Sequence, residues 1–211
     1  PPDRGDTRGV DGRRRAVGAQ TSFEESRGAE GGAGKAVGLI AASLPTAWRN
    51  GADTEARTSL ALASLMAGGA CSNAMVGIVH AIGHSLGGLC RIPHGQAMMM
   101  LLPHCVRFNL DRGIHAGLYG QLLDVLAPAR AAALGAGAAP EALDRAFLDE
   151  LTALNDLFHR EYGVPLTLSE LGVSRDDLPA VAKPARYDGA ALYNESETTL
   201  EDAIAVLEAA Y

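Results

Sequence analysis

Apolar residues recur at helical spacing from Lys35 to the end of the chain, and no stretch of alternating apolar and polar residues recurs. A chain with one period and not the other has few fold classes open to it. It must bury helical stripes against each other, so the expected fold is mainly α, a multi-helix domain. KAVGLIAASLPTAW reads as helical until Pro45 interferes. TEARTSLALASLMAGGACSNAMVGIVHAIGHSLGG reads as one or two helices, with a break expected at Gly68-Gly69 and an end at Gly87-Gly88. QAMMMLLPHCVRFN is helical again. GLYGQLLDVLAPA follows, then PEALDRAFLDELTALNDLFHREYG, an amphipathic helix with Pro140 near its start and Gly163 at its end. VPLTLSELGV reads as a short extended piece and a turn. TLEDAIAVLEAAY reads as a terminal helix capped at Thr199 or Thr198.

Residues 1–34 are different. Arg and Gly dominate GVDGRRRAVG and SRGAEGGAG, and no apolar period persists. The expected organisation is a degraded or flexible lead-in over 1–34 and a helical domain over 35–211. The first residues lack both an apolar signal-peptide core and an initiator Met, which leads to the expectation of a fragment or a processed chain.

Charge and cysteine content narrow the function classes. A net charge of -7 opposes general nucleic-acid binding, which needs a basic surface. The cysteines are Cys71, Cys90 and Cys105, an odd number without a CxxC pair, so neither a disulfide scaffold nor a thiolate zinc site is expected. A reducing cytoplasm fits that usage. Gly and His interrupt the most apolar run, Ala70 to Leu89, so no membrane span is expected.

Three of the six histidines crowd one apolar segment, VHAIGHSLGGLCRIPHG. His80 and His84 are four residues apart and project from one helix face, a turn apart. His94 follows a Gly-Gly pair and a Pro, which lets the chain turn back and bring it beside them. A single such His is ordinarily a structural residue. Three converging imidazoles are natural ligands for a divalent transition metal, which acts as a Lewis acid on a substrate oxygen. His104 in LLPHC reads as structural, and His115 and His159 as surface or boundary residues.

Gly83-His84-Ser85-Leu86-Gly87 also satisfies GxSxG, the nucleophile elbow of α/β-hydrolases, which makes a serine esterase using Ser85 the rival reading. That elbow needs a strand before Ser85 and later strands carrying an acid and a base, and the chain offers no pattern for them. GAEGGAGKA fails as a phosphate-binding loop, since Ala29 and Ala36 stand where Gly and Ser/Thr belong. No GxGxxG with an acidic partner occurs.

The stretch ACSNAMVGIVHAIGHSLGGLCRIPHGQAMMMLLPHCVRFN closely resembles the iron-containing (group III) alcohol dehydrogenases. The shared elements are His80, His84, Gly87, Pro93-His94-Gly95, Leu102-Pro103-His104 and Phe108-Asn109, and the likeness extends from about Lys35 to the C-terminal LEDAIAVLEAAY. The resemblance implies the C-terminal helical domain of the dehydroquinate synthase-like fold, in an enzyme whose N-terminal α/β domain binds NAD(P). It implies Fe²⁺ or Zn²⁺ as metal, small alcohols and aldehydes or ketones as substrates, and leaves room for a homo-oligomer. By resemblance, His80 and His94 ligate the metal, and His84 is the catalytic residue near nicotinamide and substrate. No residue of this chain is assigned to the nucleotide.

Two further ligands belong to a family segment resembling Asp-Ala-x-x-His-Ala-x-Glu, matched here by Asp11 to Gly18. Asp11 takes the place of the carboxylate ligand. Arg15 stands where the family has a His, and Gly18 where it has a Glu. A guanidinium is a permanent cation without an available lone pair, so it cannot ligate and would repel an ion. The expectation is weak metal binding and an impaired or inactive enzyme in this chain alone, with a non-catalytic helical remnant as the alternative.

Overall fold

The computed structural model describes residues 31–114, 117–194 and 196–211. Asp11, Arg15, Gly18, His115 and the lead-in up to residue 30 lie outside the described residues. All regular structure among the described residues is helical. The chain divides into two compact units, Pro1–Met75 and Val76–Tyr211.

In the first unit, α1 covers 31–49 and α2 covers Thr54–Ala74. The boundary expected between residues 34 and 35 falls inside α1, and Pro45 does not end that helix. Asp53 caps α2, its Oδ1 accepting the N–H of Ala56 at 2.9 Å. Gly68-Gly69 does not break α2 either. Glycine costs only about 1 kcal/mol per helical position relative to alanine. The Ser72 hydroxyl and the Asn73 amide donate back to the carbonyls of Gly68 and Gly69. The helix instead ends at Met75, whose φ of 62° is left-handed.

The second unit holds α3 (Ile78–Cys90), α4 (His94–Asp111), α5 (Tyr119–Leu126), α6 (Pro128–Leu134), α7 (Pro140–Tyr162), α8 (Leu178–Ala185) and α9 (Leu200–Ala209), with single 3-10 turns at Arg175–Asp177 and Gly189–Tyr193. Its main core joins four helices. Ile78, Ile82 and Leu86 of α3 meet Ala97, Met100, Leu101 and Cys105 of α4, Leu178, Val181 and Ala182 of α8, and Ala203, Val206 and Leu207 of α9. Each fully buried Leu or Ile contributes about 1.5–3 kcal/mol relative to an exposed position. A second cluster, Leu123, Ala131, Ala146 and Phe147, fastens α5 and α6 to α7.

The end of α3 departs from expectation. It runs through Gly87-Gly88 to Cys90, and Arg91 takes the left-handed position at φ 58°. The turn into α4 is therefore only Arg91-Ile92-Pro93, which places His94 at the first residue of α4. At the C-terminus of α7, Gly163 adopts φ 66°, as the sequence leads one to expect.

Candidate metal and proton-transfer site

The buried stripe of α3 runs through Ile78, Ile82 and Leu86. At about 100° per residue, positions two further along lie nearly opposite it, so His80 and His84 project from the face turned away from the core. The short Arg91–Pro93 turn then brings α4 back against α3. At this crossing, a Cβ on Gly83 would lie 1.9 Å from Met98 Cε, one turn beyond His94. Close approach of the two helices carries His94 to the first pair.

The three rings form a triangle. Centroids are 5.9 Å apart for His80 and His84, 5.4 Å for His80 and His94, and 5.7 Å for His84 and His94. Two imidazoles on one ion, at metal–nitrogen distances of about 2.0–2.1 Å, place their centroids about 5 Å apart. His80 is half-buried; burial first, then the neighbouring His94 and His84, lower its pKa against a smaller opposing effect of Asp188. A lowered pKa keeps a lone pair free at neutral pH, as a ligand requires.

Sequence reasoning missed Asp188. Its Oδ2 lies 3.0 Å from His84 Nδ1, across 104 residues of chain. The only local sign of it is an Asp-Gly pair at a turn.

Among the described residues no group of three or more His, Cys, Asp or Glu side chains is arranged to hold a metal ion. The pair of imidazoles at His80 and His94 is chemically of the donor type a divalent transition metal takes. His80 and His94 supply imidazoles, while Asp11, the carboxylate expected from the resemblance, lies outside the described residues.

His104 and His159 have other surroundings. His104 is partly buried in α4, where burial and the Arg107 cation lower its pKa. His159 lies in the last turn of α7 and its Nδ1 lies 2.9 Å from the Val164 carbonyl. The hydrolase reading fails on Ser85. It lies in the middle of α3, 8% exposed, its hydroxyl donating to the Ala81 carbonyl at 3.3 Å. A nucleophile elbow needs a strand-to-helix turn, and the described residues contain no strand. Cys71, Cys90 and Cys105 are free thiols, and burial pushes Cys105 far up from the ordinary range.

Regular structure among the described residues is helical, and α3 and α4 bring the imidazoles of His80, His84 and His94 together. The family model described as Fe-containing alcohol dehydrogenase family, C-terminal, matches residues 10–211, and the chain belongs to that family. The 1,3-propanediol dehydrogenase of Klebsiella pneumoniae is 34% identical over 208 residues, covering 96% of this chain and 50% of that protein. Alcohol dehydrogenase 4 of Saccharomyces cerevisiae is 34% identical over 177 residues, 84% of this chain and 42% of its own length. A crystal structure of 1,3-propanediol oxidoreductase superposes with a TM-score of 0.76 at 32% identity, over 87% of this chain and 45% of that one. The chain thus spans about half the length of the relatives it matches.

Proposed function

We propose that this chain is the metal-holding helical half of an NAD(P)-linked alcohol dehydrogenase that interconverts small alcohols and the corresponding aldehydes or ketones. The observation that carries this reading is the 5.4 Å approach of the His80 and His94 rings on the face of α3 and α4 turned from the core. Relatives named 1,3-propanediol dehydrogenase, NAD-dependent methanol dehydrogenase and lactaldehyde reductase support the substrate class and the nicotinamide.

His80 and His94 would hold the ion, Fe²⁺ or Zn²⁺, with Asp11 as the carboxylate. When bound, the ion supplies Lewis acidity toward an alcohol oxygen, and the nicotinamide supplies a hydride acceptor. His84, with its side chain 46% exposed beside both ligands, is placed to take the hydroxyl proton during oxidation and to return it during reduction. Arg15 removes one expected ligand and adds a positive charge, so the site in this chain binds its ion weakly.

Calorimetric titration with Fe²⁺ or Zn²⁺ tests the reading. Saturable binding weaker than micromolar is expected. Sub-micromolar affinity contradicts the effect ascribed to Arg15, and absence of any saturable binding contradicts the half-site itself. Arg15 and Gly18 also favour a second reading, a non-catalytic helical remnant. Reduced nicotinamide formed from a small alcohol by the metal-supplemented chain excludes that one.

A further inference from the structure

We propose that Asp188 is a positioning residue that fixes the tautomer and orientation of His84, making Nε2 the nitrogen that exchanges a proton with substrate. The proposal rests on the reading of His84 as the proton-handling group.

Asp188 is itself held by its backbone and by one carboxylate oxygen. The Asp188 N–H donates to the Ala185 carbonyl at the end of α8 at 3.2 Å, and its carbonyl accepts from the Ala191 N–H at 3.0 Å. Its Oδ1 accepts the Ala190 N–H at 2.8 Å, capping the turn Gly189–Tyr193. Oδ2 is the oxygen turned to His84 Nδ1, at 3.0 Å. An ionised carboxylate only accepts hydrogen bonds, so Nδ1 must carry the proton and Nε2 is left with the lone pair in the neutral ring.

The two partners are also locked together by packing. Ala190 and Ala191, the residues that bond to Asp188, form one buried cluster with Ala81 of α3, which lies between His80 and His84 in sequence. Ala185, one turn before Asp188, belongs to the main core. Small side chains let the 3-10 turn sit directly on α3, so the carboxylate reaches a ring that is itself half exposed. A surface ion pair between mobile side chains fixes little. Here one partner is fixed by three backbone groups, and the chain carrying it is seated on the helix that carries the other. Orientation of a histidine by a carboxylate on its far nitrogen is a general way to set which nitrogen does chemistry.

Nuclear magnetic resonance of the ¹⁵N-histidine-labelled chain, without added metal, tests the assignment. Long-range ¹H–¹⁵N correlations report the tautomer of each ring, and the His84→Ala spectrum identifies the His84 signals. At about pH 8, above the ordinary histidine range, His84 in the unaltered chain should show the Nδ1–H form. Asp188→Asn keeps an acceptor for the Ala190 N–H, because Asn caps as well as Asp, and with its oxygen so engaged it turns an NH2, a donor only, to the ring. The Nδ1–H pattern should then be lost to the Nε2–H form or to a mixture. An Nε2–H ring in the unaltered chain overturns the proposal even if no variant folds. So does an unchanged pattern in a folded Asp188→Asn. The spectrum is independent of turnover and of ion binding at His80 and His94, so failure here leaves the dehydrogenase reading to its own titration.

Discussion

Gly120 lies where α5 crosses α7, and a Cβ there would come within 2.6 Å of Leu143 Cβ and 3.3 Å of the Asp144 backbone nitrogen. Neither atom is the end of a flexible side chain, so the helices would have to separate. Asp144 depends on that closeness: its two carboxylate oxygens accept the N–H groups of Gly117 and Gly120 at 2.6 and 2.7 Å. Gly120→Ala should therefore destabilise the chain by about 1–3 kcal/mol, read as a lower urea midpoint with an unchanged slope. Such residues separate what the sequence could reveal from what it could not. His80 and His84 announce themselves by a spacing of four, and His94 by the turn before it. Asp188 and Gly120 owe their roles to partners 104 and about two dozen residues away, and no local pattern records such a meeting.

Helices were legible as elements, but several of their ends were not. Glycine pairs at 68–69 and 87–88 read as a break and an end, yet α2 and α3 pass through both, since each glycine costs only about 1 kcal/mol in a helix. Pro103 also sits inside α4, where the Met99 carbonyl that it leaves without a helical N–H accepts the Asn155 amide at 2.8 Å. Caps built from side chains were easier to read. The last helix, α9, begins with a reciprocal capping box in which the Thr199 hydroxyl accepts the Asp202 N–H and Asp202 accepts the Thr199 N–H. Asp202 also pairs with Arg112 at the end of α4. Burial would raise its pKa, but the Thr199 hydrogen bonds and the Arg112 guanidinium outweigh burial and hold it below the usual carboxylate range. A carboxylate depressed on folding contributes stability above its unfolded pKa and loses it as pH falls through the folded value. Chain stability should thus drop as pH falls below about 4. Asp202→Asn should be less stable at neutral pH and should lose less on acidification, as followed by thermal unfolding between neutral and acid pH.

At the scale of the molecule, the mainly α class was written in the period of the apolar residues, and the family in the His80–Asn109 stretch. No single helix among the described residues is long and apolar enough to cross a membrane. Less legible was the division at Met75, since the helical pattern runs on across it and only a left-handed backbone marks the change. The second unit alone carries the imidazole triangle and Asp188, so the proposed half-site draws on α3, α4 and one 3-10 turn of a single body. One set of titrations tests whether two of those rings share an ion. The chain and its His80→Ala, His94→Ala and His84→Ala variants are each titrated calorimetrically with Zn²⁺, with folding verified by circular dichroism. Binding should vanish in the first two variants and persist in the third. Persistence of binding in His80→Ala or His94→Ala, at the affinity of the unaltered chain, would contradict the account.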